Sequence, residues 1–210
     1  MKRIHKPFGV SSLCLATLCL AALCLIPIQS PAAAEGRAPT PKVLWSGALS
    51  SPSPHTPAWI GYRLLESRKR MLGLRNPRED MIVADISDLP DGGTRVFYQR
   101  YVFRTPVWGD GLSVEIDRQG VIRRVTGRMH ADLLSDLFHR PKRPALSADR
   151  AAAAAARWLE SEGLAAEIGG VTSFYLPDRP GIPLVYAVNV GENGRLFVHA
   201  QTGRVIRADI

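Results

Sequence analysis

Beyond residue 34 the sequence has no cysteine. Cys14, Cys19 and Cys24 all fall inside one apolar run near the N-terminus. A chain that loses this run on export has no disulfide framework, no thiol nucleophile and no thiolate metal site. Histidine is scarce as well. None of His55, His130, His139 or His199 is followed by Glu, and no two histidines stand four apart. The helical zinc site built from two histidines with an intervening glutamate is therefore missing. There is no G-x-S-x-G elbow and no glycine loop of the kind that cradles phosphate. Gly92-Gly93 and Gly169-Gly170 read as turns instead. The sequence predicts no cofactor, no metal and no enzyme.

The segment "HAD", His130 to Asp132, invites a His–Asp pairing and hence a hydrolase, but a histidine on a loop explains it as well. Long basic runs with interleaved aromatics are also lacking. Arg68, Lys69, Arg70, Arg123, Arg124, Arg128, Lys142 and Arg143 are scattered, which argues against nucleic acid as a partner. Attraction to an acidic partner or to an anionic envelope surface fits this charge distribution.

The N-terminus does carry a pattern. Lys2, Arg3 and Lys6 precede an apolar run from about Val10 to Ile28, and the small residues of "PAAAEG" follow. This is the layout of a secretory signal peptide over residues 1–34, cleaved before Glu35. The run is also long enough to serve as an uncleaved anchor. With cleavage the chain is exported, periplasmic or extracellular, and meets the membrane only transiently through its signal. The formal charge falls from +8 to +5, because three of the 27 Lys+Arg and none of the 19 Asp+Glu lie in the signal.

Residues 35–57 are rich in Pro and Ser and read as a linker, which Val43, Leu44 and Trp45 can pin to a domain. From Thr56, "TPAWIGYRLLESRKRMLGL" has helical character, with Thr56 as N-cap, Pro57 in the first turn and Asn76-Pro77 ending it. The period then changes to that of strands: "DMIVADISDL", "TRVFYQRYVF", "LSVEID" and "VIRRVTG". Leu112, Val114 and Ile116 share a face, whereas Ile122 and Val125 fall on opposite pleats. The stretch Gly109-Asp110-Gly111 reads as a turn.

A second Pro-rich joint spans 139–146. Ser147 then caps "ADRAAAAAARWLESEG". Its alanines favour helix, with Ala152, Ala155, Ala156 and Leu159 on one face and Gly163 as the stop. Four more strands follow. Among them "PLVYAVNVG" alternates as a half-buried strand should. The resulting expectation is an α+β protein of two tandem modules, 58–138 and 147–210, each a helix packed on an antiparallel meander.

The first module, "RKRMLGLRNPREDMIVADISDLPDGGTRVFYQRYVFRTPVWGDGLSVEIDRQGVIRRVTGRMHADL", resembles the fungalysin/thermolysin propeptide (FTP) domain. Gln99 and Tyr101 match its Q-x-Y element. Pro106, Val107, Trp108, Gly109 and Gly111 match its "PVFGG", with Trp in place of Phe and Asp110 inserted. Asp117 and Gly120 match the next turn, and Arg104-Thr105 replaces the usual Asn-Gly. The second module, with "PLVYAVNVGENGRLFVHAQTGRVI", resembles the PepSY domain. In that family the two domains precede a secreted thermolysin-like metallopeptidase, which they help to fold and inhibit.

The resemblance implies an exported, non-catalytic, propeptide-like protein that binds such a peptidase as inhibitor or chaperone. The rival expectation is a general cell-envelope protein-binding module with no peptidase partner. Tyr101, Arg104, Pro106 and Trp108 are the candidate partner-binding residues, because aromatic and Arg side chains anchor interfaces. Tyr101 and Trp108 fit a core position as well as a surface one, and Phe97 reads as core.

Overall fold

In the computed structural model, residues 42–210 are described. The expected signal peptide and its cleavage site lie outside them, as do the first residues of the expected linker. The described chain is mixed α+β, with nine strands in one curled sheet and four helices. No helix among the described residues is long and apolar enough to cross a membrane.

Strand β1, Lys42–Ser46, lies within the stretch expected to be a linker. It pairs antiparallel with β5, Ile122–Arg128, setting Trp45 opposite Val125. Val43 and Trp45 pack on the core while Leu44 stays exposed, as an edge strand with one buried face requires. Helix α1 is Pro57–Arg68, shorter than the sequence predicted. Thr56 caps it through its carbonyl, which accepts from Ile60 N; its side chain makes no capping bond. Asn76 does not simply end the helical stretch. Its side chain accepts from Arg78 N and starts a single turn, α2, Pro77–Asp80.

Strands β2 (Met81–Asp88), β3 (Thr94–Val102), β4 (Thr105–Ile116) and β5 form an antiparallel meander. Its inner face carries Val96, Tyr98, Leu112, Val114, Ile116, Ile122 and Val125, packed against Ile60, Leu64 and Leu65 of α1. Ile122 and Val125 thus share a face, contrary to the count along the sequence. The pairing shifts between Glu115 and Ile116, so one extra residue on β5 absorbs the odd spacing. Gly61 lets α1 approach closely, because a Cβ there would strike the Tyr98 ring. The Tyr98 hydroxyl donates to Ala58 O at 2.8 Å, and burial pushes its pKa well up, so the phenol stays protonated as that donor.

A short turn, α3 (Leu133–Asp136), leads through 139–146 to α4, Ala148–Ser161. Residues 139–146 are tied to the following module: Ala145 N and Leu146 N donate to Ala200 O, and Tyr186 Oη donates to Leu146 O. Ser147 caps α4 as expected, accepting from Arg150 N. The C-terminus is a Schellman motif: Gly163 has φ +69°, Gly163 N donates to Glu160 O, and Leu164 N to Leu159 O. The buried stripe of α4 is Ala151, Ala154, Ala155 and Leu159; it shares Ala155 and Leu159 with the expected face and takes Ala151 and Ala154 in place of Ala152 and Ala156. The small alanines bring the helix close to β6 (Ile168–Tyr175), β7 (Leu184–Val190) and β8 (Gly194–His199). Strand β9, Val205–Asp209, completes this second antiparallel set.

Two expectations change here. Gly169-Gly170 lies inside β6, at a register shift between Ile168 and Val171, and is not a turn. Strand β7 is buried on both faces: Leu184, Tyr186, Val188 and Val190 face α4, while Val185 and Ala187 face a small cluster with Phe197. The two strand sets are joined by a parallel pairing of Val107 in β4 with Tyr175 in β6. The description as two separate helix-on-meander modules is therefore too simple, because one strand runs from one set into the other.

Candidate functional site

The sequence singled out Tyr101, Arg104, Pro106 and Trp108, and the structure divides them. Gln99 pairs with Gly111, and Tyr101 with Pro106. Arg100 therefore stands opposite four residues of β4, Val107 to Asp110. This wide bulge replaces the turn expected at Gly-Asp-Gly, and Gly109 supplies a φ of +75° within it. Gln99 fills the gap, its Nε2 donating to Val107 O and Asp110 O, each at 2.8 Å, and to Arg100 O at 3.2 Å.

The bulge swings Trp108 off the first sheet. Its ring stands edge-on to Phe174 and Phe197, with centroids 5.1 and 4.9 Å apart. The Arg195 guanidinium lies over it at 4.8 Å. Trp108 is half-buried and covers the second face of β7 and β8. It therefore does not stand free at a turn beside Arg104.

Asp110, which interrupts the glycine pair, is the centre of a buried ionic cluster. Its Oδ1 meets His130 Nδ1 at 2.6 Å, and its Oδ2 accepts from His130 N at 3.0 Å. Arg100 Nη1 lies 3.7 Å from Oδ2 and donates to His130 O, while Nη2 donates to Gly73 O. Arg100 and Asp110 are each only 1% exposed. Burial pulls the Arg100 pKa down and the Asp110 charge pulls it back up. The partner of His130 is thus Asp110, 20 residues away, and not the adjacent Asp132. The cluster ties β3, β4, the segment after β5 and the loop after α1 together. Both oxygens of the carboxylate are engaged within it.

Tyr101, Arg104 and Pro106 remain together at the β3–β4 hairpin. Val102 pairs with Thr105, so Phe103 and Arg104 are the two loop residues. They have φ +49° and +64°, the left-handed pair that a type I′ turn requires. The position that favours Asn-Gly is thus held by Phe103-Arg104, one residue earlier than the sequence alignment placed it. Tyr101 and Arg104 line a groove of about 890 Å³ together with Arg75, Arg78, Ile82 and Phe103. Pro106 sits opposite Tyr101 on the neighbouring strand, outside the groove lining.

Sequence reasoning missed the other groove residues, among them Arg75, Arg78, Ile82 and Phe103. The segment "LRNPRED" carried a signal, since charged residues around an Asn-Pro turn cannot all face inward. Among the described residues no group of histidines and carboxylates could hold a metal ion.

No curated protein matches the chain. Among solved structures, the Bacillus megaterium YpeB C-terminal domain is similar over 80% of this chain and 70% of that chain, with 13% sequence identity and a TM-score of 0.38. The family described as Fungalysin/Thermolysin Propeptide Motif matches residues 79–129, the span that holds β2 to β5, the bulge, Asp110 and the strained hairpin.

Proposed function

We propose that the chain is an exported, non-catalytic, propeptide-like protein that binds a secreted thermolysin-like metallopeptidase as inhibitor or folding chaperone. The observation that carries this reading is the match of residues 79–129 to the propeptide motif. That motif names a propeptide and not a catalytic domain. The interior also supports the reading: the buried charges of Arg100 and Asp110 and the His130 ring serve one another, and the residues of interface type cluster at one surface groove. In this proposal residues 147–210 act as a PepSY-like partner module, reached through the joint at 139–146, and residues 1–34 direct export. Tyr101 and Arg104 are the contact residues, with Pro106 positioning Tyr101. Trp108 holds the two strand sets together.

The test is co-expression with a secreted thermolysin-like metallopeptidase. A tagged chain is expected to retain the peptidase through purification and to raise its soluble yield. Recovery of the chain without peptidase, and an unchanged yield, would reject the proposal.

A further inference from the structure

We infer that the groove beside the β3–β4 hairpin docks an extended acidic peptide segment, laid along the free edge of β2. This rests on the reading of the chain as a peptidase-binding protein and narrows it to one face and one partner chemistry.

The charges in the groove are unbalanced. Among the described residues the guanidiniums of Arg75 and Arg104 make no ion pair or hydrogen bond, and Arg78 only lies over the Tyr62 ring at 5.1 Å. Of the two carboxylates in the lining, Asp80 spends Oδ2 on the backbone N–H groups of Arg75 and Asn76. Glu79 and Asp80 together offset two of the three arginine charges, so one guanidinium is in excess. Lys142 adds a cation over the Phe103 ring at 4.5 Å. Such forks are matched by carboxylates, which they bind in a bidentate geometry.

The groove also has a backbone component. Among the described residues β2 pairs with β3 alone, so its outer edge is open to a further strand. Tyr62 Oη donates to Met81 O at the start of β2 and also meets the Val83 backbone, so a peptide strand has the stretch beyond Val83. Ile82, 40% exposed, and Phe103, 37% exposed, supply apolar anchors beside it.

The hairpin itself is strained. Two non-glycine residues, one of them aromatic, hold the left-handed conformation that Asn-Gly adopts without penalty. Strain held at an exposed tip points to a role for the side chains there. Phe103 and Arg104 are aimed at the groove they line.

The test measures binding of two fluorescein-labelled peptides to the purified protein by anisotropy. One alternates valine and glutamate, the other valine and lysine. The glutamate peptide should bind saturably and the lysine peptide should not. The double reversal Arg75→Glu with Arg104→Glu is expected to weaken binding by about tenfold or more. Arg124→Glu, on β5 and outside the groove, should change it by less than about threefold. The variant Phe103→Asn with Arg104→Gly relaxes the turn, so it should melt at a higher temperature and yet bind the peptide more weakly. That outcome separates lost binding from lost folding.

Equal binding of both peptides, or indifference to the Arg75/Arg104 reversal, would overturn the inference. So would displacement by heparin with the same variant sensitivity, which would assign the groove to an anionic polymer. Loss of the peptide site with the peptidase effect intact faults the groove alone. A peptide bound as described with no effect on the peptidase faults the functional proposal alone.

Discussion

Trp108 stands edge-on to Phe197 with ring centroids 4.9 Å apart, and this contact spans two strand sets that otherwise share the Val107–Tyr175 pairing. Phe197 is fully buried, with Trp108 and the Arg207 guanidinium against its ring. Removing the indole exposes this face of β7 and β8. Trp108→Ala should cost about 2 kcal/mol or more, below the full cost of a core tryptophan because the ring is half-buried. Urea unfolding reads this as a lower midpoint. Trp108→Phe should recover part of the loss. An unchanged midpoint for the alanine variant would mean that the contact holds nothing together.

Gln99 is predicted to matter as much as a core residue. Its amide donates to three backbone carbonyls inside the wide bulge. Gln99→Leu keeps the bulk and leaves those acceptors without a donor, which should cost about 1–3 kcal/mol. Thermal unfolding checks it, and a neutral outcome would mean that the bulge finds other donors.

Asp110→Ala leaves the Arg100 guanidinium buried without its counter-charge and His130 without its acceptor. Breaking a buried pair from one side costs about 3–5 kcal/mol. Changing Arg100 to Met in the same background should restore part of that loss. Were the double variant less stable than Asp110→Ala, the ionic account of the cluster would fail.

Asp117 gives a pH signature. Its carboxylate accepts from Val121 N and Gln119 N and from the Arg123 guanidinium, and these bonds hold its pKa below the ordinary 3.8. A depressed folded pKa contributes stability above the unfolded value, and this is lost as pH falls through the folded one. The melting-temperature gap between the protein and Asp117→Asn should therefore be full near neutral pH. It should narrow below 3.8 and close in stronger acid. A gap independent of pH would show that the carboxylate charge plays no part in the turn.

The helix starts and most strands were legible in the sequence. The cap of α4 at Ser147, its stop at Gly163 and the strands after it follow from local chemistry that tertiary contacts reinforce. The bulges were not legible. A bulge inserts residues that the alternation rule counts, so that rule puts Ile122 and Val125 on opposite faces and reads Gly109-Asp110-Gly111 as a turn. Strand β1 was hidden by the Pro and Ser around it, although the alternation of Val43 and Trp45 marked its buried face. For the site, Tyr101 and Arg104 could be named by residue type, and both line the groove. For Trp108 the sequence leaves core and surface both open, and the bulge carries the ring into an aromatic cluster. Arg75, Arg78 and Ile82 reach the groove only through the fold.

The proposed action of this chain on a secreted metallopeptidase has a direct test. The direct measurement is a titration of a secreted thermolysin-like enzyme with the purified protein, reading peptide hydrolysis and the refolding yield of the denatured enzyme. The account predicts that hydrolysis falls to a plateau near equimolar protein or that the refolded yield rises, and that the Arg75→Glu/Arg104→Glu variant does less of either. Hydrolysis and refolding both unchanged at saturating protein would contradict it.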